Sequence, residues 1–507
     1  MMHLLKISTL NKVFKICNIC FLLFLNTSIL SQNQTLKSTI KSSYSYKDIT
    51  EKEVVKITKD FVSKKEYKQA LDLITKYYNK YSKSLEINWL YAHILSLNNK
   101  KKKADKFFKK AIAIAPKNTE LQMDYARFMF ELGDIDSASN IMESFMDENS
   151  TNVEFLLMQA KISFWERDIK SAEKKIARIL EIYPKAGITK DLENQIRTLK
   201  ATYLNLNFEY QMDSQPLKYF ANHIIAGEFI SNFFSPQLEI SRYRFSPQKE
   251  GAFTLKLSNQ FYFKRLTLAV KVSGGAYFND SDSPDWIGEL SFTKKIFKNA
   301  NFNFGYAKNA LLGTIASTSF NLTQQDLFGV FDYKNKFIML NMAYNYKFFD
   351  DSNNITSVGA WMVSQPIKFG KLDFQLGYGY GYTDAKDNLF IYDNEGVGVY
   401  NPYFTPKDQE IHSALFITSY KPTKKITLQA KLNYGIQATV QNPYPIEVTP
   451  NQFETGGFYK ADFTYTEING SIEYSISNNF GINANYVYQE TFFYTRDNFN
   501  LGLNFIF

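Results

Sequence analysis

Cysteine is almost absent from this 507-residue chain: Cys17 and Cys20 are the whole complement. Both fall in an apolar N-terminal stretch that reads as a removable leader. A disulfide framework, a thiolate metal site and a cysteine nucleophile are therefore not expected in the mature protein. Histidine is nearly as scarce. His3 lies in the leader, His93 in a helical repeat, and His223 and His412 in separate strand-like segments. No His-x-x-Glu-His, Gly-x-Ser-x-Gly or glycine-rich phosphate loop occurs. His412 and Ser413 are neighbours on one strand and point to opposite faces, so they make no relay. No catalytic residue, metal ligand set or cofactor is predicted. Long apolar runs are missing too; none approaches the ~20 residues that a spanning helix needs. Acidic residues are outnumbered, giving a net charge of +9. The excess is lysine, placed before residue 200 and scattered over helix surfaces. That pattern is a solvated face rather than a nucleic-acid footprint.

Aromatic residues, at 16% of the chain, are abundant, nearly all of them Tyr and Phe. From about Ala201 to Phe507 they sit in alternating segments. In Ile426–Ile436, Ile426, Leu428, Ala430, Leu432, Tyr434 and Ile436 share one face, and Thr427, Gln429, Lys431, Asn433 and Gly435 the other. A strand repeats every two residues, so such a segment is oily on one side and wet on the other. Phe480–Gln489 repeats this, with Asn483 and Asn485 on the wet side. The last segment sets Leu501, Leu503, Phe505 and Phe507 against Gly502 and Asn504. Segments of roughly ten alternating residues, rich in aromatics and separated by turns, mark a transmembrane β-barrel. A closed sheet pairs every backbone group that lipid leaves without water.

Upstream, Met1 to Ser31 has a signal peptide's parts: Lys6, Lys12 and Lys15, then apolar Ile16–Leu25, then small residues at Ser28–Ser31. Residues 32–50 are rich in Ser, Thr, Asn and Lys and read as a linker. Residues 51–200 switch to helical period. Ala70, Ala104, Ala138 and Ala172 recur every 34 residues, and Ala92, Ala126 and Ala160 keep the same step. That period is the tetratricopeptide (TPR) repeat, a helix-turn-helix unit. Antiparallel helices approach closely only where each offers a small residue. Four repeats are predicted, the outer two degenerate as caps. Trp89, Tyr91, Tyr125 and Phe164 are candidates for a peptide-binding groove; the competing assignment is repeat core.

Residues 201–507 are assigned strands at 201–211, 218–230, 236–246, 251–263, 265–278, 284–294, 300–309, 314–322, 325–334, 336–348, 355–366, 371–382, 408–420, 424–437, 458–476, 480–491 and 496–507. Single-chain barrels usually carry an even number, so one assignment is in excess. The expectation is sixteen, with the error in 300–334. The phase break in 458–476 predicts a bulge near Glu467 or a hairpin at Asn469-Gly470. Short turns such as Lys421–Lys425 face the periplasm on this reading. Long links at 383–407 and 438–457 face outside and either lie in solvent or fold over the mouth.

The stretch VYNPYFTPKDQEIHSALFITSYKPTKKITLQAKLNYGIQ (Val399–Gln437) and the closing strands INGSIEYSISNNFGINANYVYQETFFYTRDNFNLGLNFIF (Ile468–Phe507) resemble the end of the cellulose-export barrel. FFSPQ at Phe233–Gln237 is a shorter echo. The whole layout resembles the TPR-barrel porins of exopolysaccharide (cellulose and poly-N-acetylglucosamine) export. The chain departs from them in carrying four repeats instead of a much longer array. It also looks like smaller TPR-linked barrels of gliding and soil bacteria. The resemblance implies an α-solenoid plus a C-terminal antiparallel barrel of about sixteen strands in a Gram-negative outer membrane, with the TPR part in the periplasm. It implies a periplasmic protein partner and a polysaccharide cargo, with no nucleic acid. The expected lumen-lining residues are Thr427, Gln429, Lys431, Asn433, Asp462, Thr464, Asn483 and Asn485. Their mixed polarity suggests a neutral or weakly charged glycan. An envelope scaffold anchored by its barrel, and a small-solute channel, are the other readings.

Overall fold

The computed structural model describes residues 49–144, 151–185, 187–215, 217–246, 251–280, 283–297, 299–319, 322–335 and 337–507. The predicted signal peptide, and the predicted linker apart from its last two residues, lie outside the described residues. The chain forms two compact units, residues 1–121 and 122–507.

The first unit holds helices α1 (Glu51–Ser63), α2 (Tyr67–Tyr77), α3 (Leu85–Leu97) and α4 (Lys101–Ile114). Thr50 starts α1 with a reciprocal cap. Its hydroxyl accepts from the Glu53 N–H, and Glu53 Oε2 accepts from the Thr50 N–H at 2.8 Å. Ser84 caps α3 by accepting from the Ile87 N–H at 3.2 Å. Ala70, Ala92 and Ala104 are fully buried where the helices meet. The second unit opens with most of α5 (Thr119–Glu131), then α6 (Ile135–Glu143), α7 (Val153–Trp165), α8 (Ile169–Ile182), a 3₁₀ turn at Gly187–Thr189 and α9 (Lys190–Lys200). Ala126, Ala138, Ala160 and Ala172 are likewise fully buried. The 34-residue small-residue period is thus a packing period. The turns within the helix pairs keep it too: Lys65, Asn99, Gly133 and Arg167 all adopt a left-handed backbone, with φ of 61°, 58°, 74° and 59°.

The rest is a closed antiparallel barrel of 16 strands. They are β1 (Tyr203–Asp213), β2 (Lys218–Gly227), β3 (Pro236–Ser246), β4 (Gly251–Phe263), β5 (Leu268–Asn279), β6 (Asp285–Phe297), β7 (Ala300–Ala310) and β8 (Thr323–Lys334). The ring continues with β9 (Ile338–Phe348), β10 (Asn354–Ser364), β11 (Leu372–Ala385), β12 (Lys407–Tyr420), β13 (Ile426–Thr449), β14 (Thr466–Ser475), β15 (Phe480–Glu490) and β16 (Thr495–Ile506). Each strand pairs with its sequence neighbour, and β16 pairs with β1 from Tyr203↔Ile506 to Asp213↔Arg496, closing the ring. A closed ring leaves no edge whose N–H and C=O groups lack partners. β1 begins and β16 ends at what we term the near mouth. Links from even to odd strands lie there, and links from odd to even strands lie at the far mouth.

Three sequence assignments change. The strand expected at 314–322 is a short helix, Ile315–Ser319. Thr314 closes its first turn: its Oγ1 accepts from the Ser317 N–H at 3.1 Å and its carbonyl from the Thr318 N–H at 3.1 Å. This removes the surplus strand. The link expected at 438–457 is a hairpin instead. β13 runs on to Thr449 and turns back as Gln452–Asp462, which pairs only with the distal half of β13. Pro443 and Pro445 suggested a loop. They are tolerated because this extension is two-stranded, and a strand without a second neighbour has no ladder bond to lose. The single strand expected at 458–476 is the return strand plus β14, separated by Phe463–Tyr465. The phase break is that separation. Asn469 and Gly470 lie mid-strand, paired with Val487 and Tyr486, so no hairpin forms there.

Within the second unit the α7–α8 turn meets the near mouth. Lys264, in the β4–β5 link, approaches Glu166 at 2.9 Å and Asp168 at 3.7 Å. The Arg167 guanidinium lies 4.8 Å from the Tyr262 ring, and its carbonyl accepts from Asn232 Nδ2 at 2.8 Å.

Candidate functional site

In an antiparallel ladder, directly paired residues share a face, so the register sorts the wall into two sides. One side carries exposed Leu257, Leu290, Met342, Tyr344, Leu432, Tyr434, Ile472, Tyr486 and Phe499. The other is polar along β13–β16 and β1. Thr427 pairs with Glu473, and Glu473 with Asn483. Gln429 pairs with Ser471, then come Asn485, Asn500 and Glu209. Lys431 pairs with Asn469, then come Val487, Asn498 and Gln211. Six of the eight residues expected in the lumen therefore form one patch: Thr427, Gln429, Lys431, Asn433, Asn483 and Asn485. Asp462 and Thr464 stand apart from it. Asp462 ends the return strand opposite Thr439, and Thr464 lies in the link before β14. Both were assigned from an alternation that does not carry through Phe463–Tyr465.

Several charges on the polar side are paired with one another. Lys431 meets Glu467 at 3.1 Å, Lys256 meets Glu239 at 3.1 Å, and Lys271 meets Glu289 at 2.8 Å. Asn498 Nδ2 and the Tyr219 hydroxyl both donate to Glu209 Oε1, at 2.6 and 2.8 Å. The β1 and β16 residues of this network went unassigned in the sequence. Their signal was the asparagine alternation at Asn498, Asn500 and Asn504 and at Asn205 and Asn207, which matches that of β15.

One cluster has the composition of a hydrolase relay. His223 Nδ1 lies 2.8 Å from Ser241 Oγ, and its Nε2 lies 3.1 Å from Glu209 Oε2. Ser241 is only 1% exposed, and the Tyr243 ring packs edge-on at 5.6 Å from the imidazole. No acyl group reaches that oxygen, so the cluster ties β1, β2 and β3 together. His412 turns to the apolar side, against Tyr378 and Tyr380, away from Ser413.

The far mouth is crossed by the β11–β12 link, residues 386–406. It carries a small hairpin, Phe390–Tyr392 with Gly398–Tyr400. On one side Thr314 Oγ1, in the β7–β8 link, donates to the Pro402 carbonyl. Beside it Tyr403 stacks on Phe349 at 3.9 Å and donates to Asp351 Oδ2 at 2.7 Å, both in the β9–β10 link. On the other side Phe493, in the β15–β16 link, lies edge-on to Tyr400 at 4.9 Å and to Phe404 at 5.2 Å. The β7–β8 and β15–β16 links are half a turn of the ring apart, so this strap spans the opening. Burial raises the Tyr400 hydroxyl well above its ordinary range; burial and the bond to Asp351 do the same to Tyr403.

The four groove candidates separate. Tyr91 belongs to a cluster in the first unit, with ring centroids 5.3 Å from Tyr78 and 4.3 Å from Phe107. Lys110 lies 5.0 Å from the Phe107 ring and donates to the Tyr78 hydroxyl at 3.0 Å. Trp89 is half-buried in the same unit. In the second unit Tyr125 is buried and stacks at 6.4 Å on Phe128, and half-buried Phe164 packs on the α7–α9 core. Trp165, next to Phe164, is 60% exposed and was not singled out from the sequence.

Residues 102–162 match the tetratricopeptide-repeat family, covering α4 to most of α7. No curated protein matches the sequence. Among solved structures, the chain is similar to a bacterial polysaccharide outer membrane secretin, at 8% identity and a TM-score of 0.47, over 61% of this chain and 99% of that one. It is also similar to CdiB from Acinetobacter baumannii, at 9% identity and a TM-score of 0.38, over 60% of each chain. A tetratricopeptide repeat protein from Parabacteroides merdae is 19% identical, with a TM-score of 0.27, over 29% of this chain and 59% of that one. The class that fold and site define is a TPR-bearing antiparallel β-barrel.

Proposed function

We propose that this protein is an outer-membrane export porin that passes an exopolysaccharide through its barrel. The observation that carries the reading is the polar side of the wall, where carboxamides dominate and several charges neutralise one another. The apolar side faces lipid and the polar side lines the lumen, because an exposed Leu, Tyr and Phe surface is stable only against acyl chains. Thr427, Gln429, Lys431, Asn433, Asn483 and Asn485 then exchange hydrogen bonds with a sliding polymer. Paired charges favour a neutral glycan over a polyanion. The short near-mouth links, chain entry and chain exit lie on the periplasmic side, as in other single-chain barrels. On this reading residues 51–200 lie in the periplasm behind a signal peptide at 1–31, with 201–507 as the barrel. The repeats dock a protein partner, with Trp89 and Tyr91 as the candidate contacts of the first unit and the exposed Trp165 as that of the second; they are not a catalytic domain.

The test is a deletion strain whose surface and periplasmic glycans are extracted separately. The expected result is a polymer lost from the surface, accumulated in the periplasm and restored by the intact gene. Unchanged pools would overturn the export reading. The strap across the far mouth favours one second reading, a barrel that serves as an anchor for a periplasmic scaffold.

A further inference from the structure

Resting on that lumen reading, we infer a sugar-ring subsite on the inner wall, built by Trp361 with Asn341 and Asp332, and extended along the same row by Asn301. The register places the four on one row of the polar side. Asn301 pairs with Asp332, Asp332 with Asn341, and Asn341 with Trp361. The neighbouring residues Met342 and Met362 take the opposite, apolar side. Trp361 is 36% exposed. An indole on a water-filled surface leaves apolar area in contact with water, which a ligand face of matching polarity would cover.

The surroundings fit a pyranose. Asn341 Nδ2 donates to Asp332 Oδ1 at 2.8 Å, which fixes the carboxamide and leaves Asp332, itself exposed, a second oxygen to accept a hydroxyl proton. Asn301 is exposed and is followed on the same row by Lys295, its partner on β6. Trp361 pairs on its other side with Gly379, which has no side chain to cover the ring. A Cβ at Gly359 would meet nothing within 4 Å, so space stays open beside the indole. A sugar whose axial C–H bonds form one apolar face stacks on the indole, while its equatorial hydroxyls reach the Asn341 carboxamide and the Asp332 carboxylate. Asp332 disfavours a uronate in the same place. Trp361 lies three residues before Ser364, the near-mouth end of β10. At ~3.3 Å per residue that is about 10 Å inside the opening, toward the opposite end of the barrel from the strap. The subsite is the first one a chain entering from the near mouth would meet on this wall.

The full chain in detergent micelles is titrated calorimetrically with cellohexaose and, separately, with a hexameric oligogalacturonate. The expected result is binding of the neutral hexamer, weakened about tenfold or more by Trp361→Ala. Trp361→Phe should retain part of it, and Trp286→Ala, on the apolar side, should change nothing. Asp332→Asn should strengthen binding of the uronate relative to the neutral hexamer. Gly359→Leu, which keeps the indole and fills the space beside it, should also weaken the neutral hexamer. No cellohexaose binding by the intact protein, equal binding by Trp361→Ala, or tighter binding of the uronate by the intact protein would each overturn the subsite. If Trp361→Ala binds normally while deletion of the gene still strips glycan from the surface, the subsite fails and the porin reading stands. If deletion leaves both glycan pools unchanged, the porin reading fails instead.

Discussion

Lys65, Asn99 and Arg167 hold the left-handed backbone that Gly133 holds in the third repeat. An L side chain in that region is disfavoured by roughly 1–2 kcal/mol, and glycine avoids most of this while adding chain entropy to the unfolded state. Lys65→Gly should therefore stabilise the helical part by about 0.5–1 kcal/mol, seen as a later loss of the 222 nm signal on heating. Arg167→Gly should not, because its side chain lies over Tyr262. Glu53 gives a pH-dependent counterpart. The Thr50 N–H, and then the Thr50 hydroxyl, hold its carboxyl below the ordinary 4.5, against a small opposing effect of burial. A depressed carboxyl contributes stability that is complete above 4.5 and fades as pH falls through the folded value. Protection of the amides at the start of α1, taken relative to their intrinsic exchange rates at each pH, should accordingly fall below pH 4.5, and Glu53→Gln should abolish that loss.

The small-residue period predicts where helices touch, and the buried alanines make it testable. Ala104 is fully buried in α4. Ala104→Leu should cost about 1–3 kcal/mol by overpacking, and Ala104→Gly about 1 kcal/mol through helix propensity alone. Equal losses from the two, measured by chemical unfolding, would mean that the contact has room to spare. These packing positions were legible in the sequence because a 34-residue repeat states the same packing problem several times. The faces of Ile426–Ile436 and of β15 were legible because alternation is unbroken there. The helix at Ile315–Ser319 was not, since its fold depends on the Thr314 turn while Ile315, Ser317 and Ser319 imitate a period of two. The hairpin at Thr439–Asp462 was hidden by prolines that are harmful only in a strand with two neighbours. Asp462 and Thr464 were read into one continuous strand with β14 and stand apart from the patch. Trp361 was invisible for a different reason: only the register across β7–β11 brings it into line with Asp332 and Asn341.

A closed ring of 16 strands is wide enough to leave an aqueous channel unless something fills it. Here a strap lies across the far mouth. The strap meets the β7–β8 and β9–β10 links on one side of the far mouth and the β15–β16 link on the other. Its hold on the β15–β16 link is apolar and edge-on, with Phe493 between Phe390, Tyr400 and Phe404. Tyr403, by contrast, donates a hydrogen bond to a carboxylate from a stacked position. The Phe493 contacts are thus the ones that break with less loss. In planar bilayers the intact protein should show small conductance. Replacing residues 388–404 by a short Gly-Ser link should raise it several-fold, and Phe493→Ala should give intermittent openings to the same level. Large, steady conductance from the intact protein would mean that the strap leaves the channel open. Small conductance after the strap is removed would mean that the lumen itself is closed, and the barrel would then be better explained as an anchor for the repeats than as a path for a polymer.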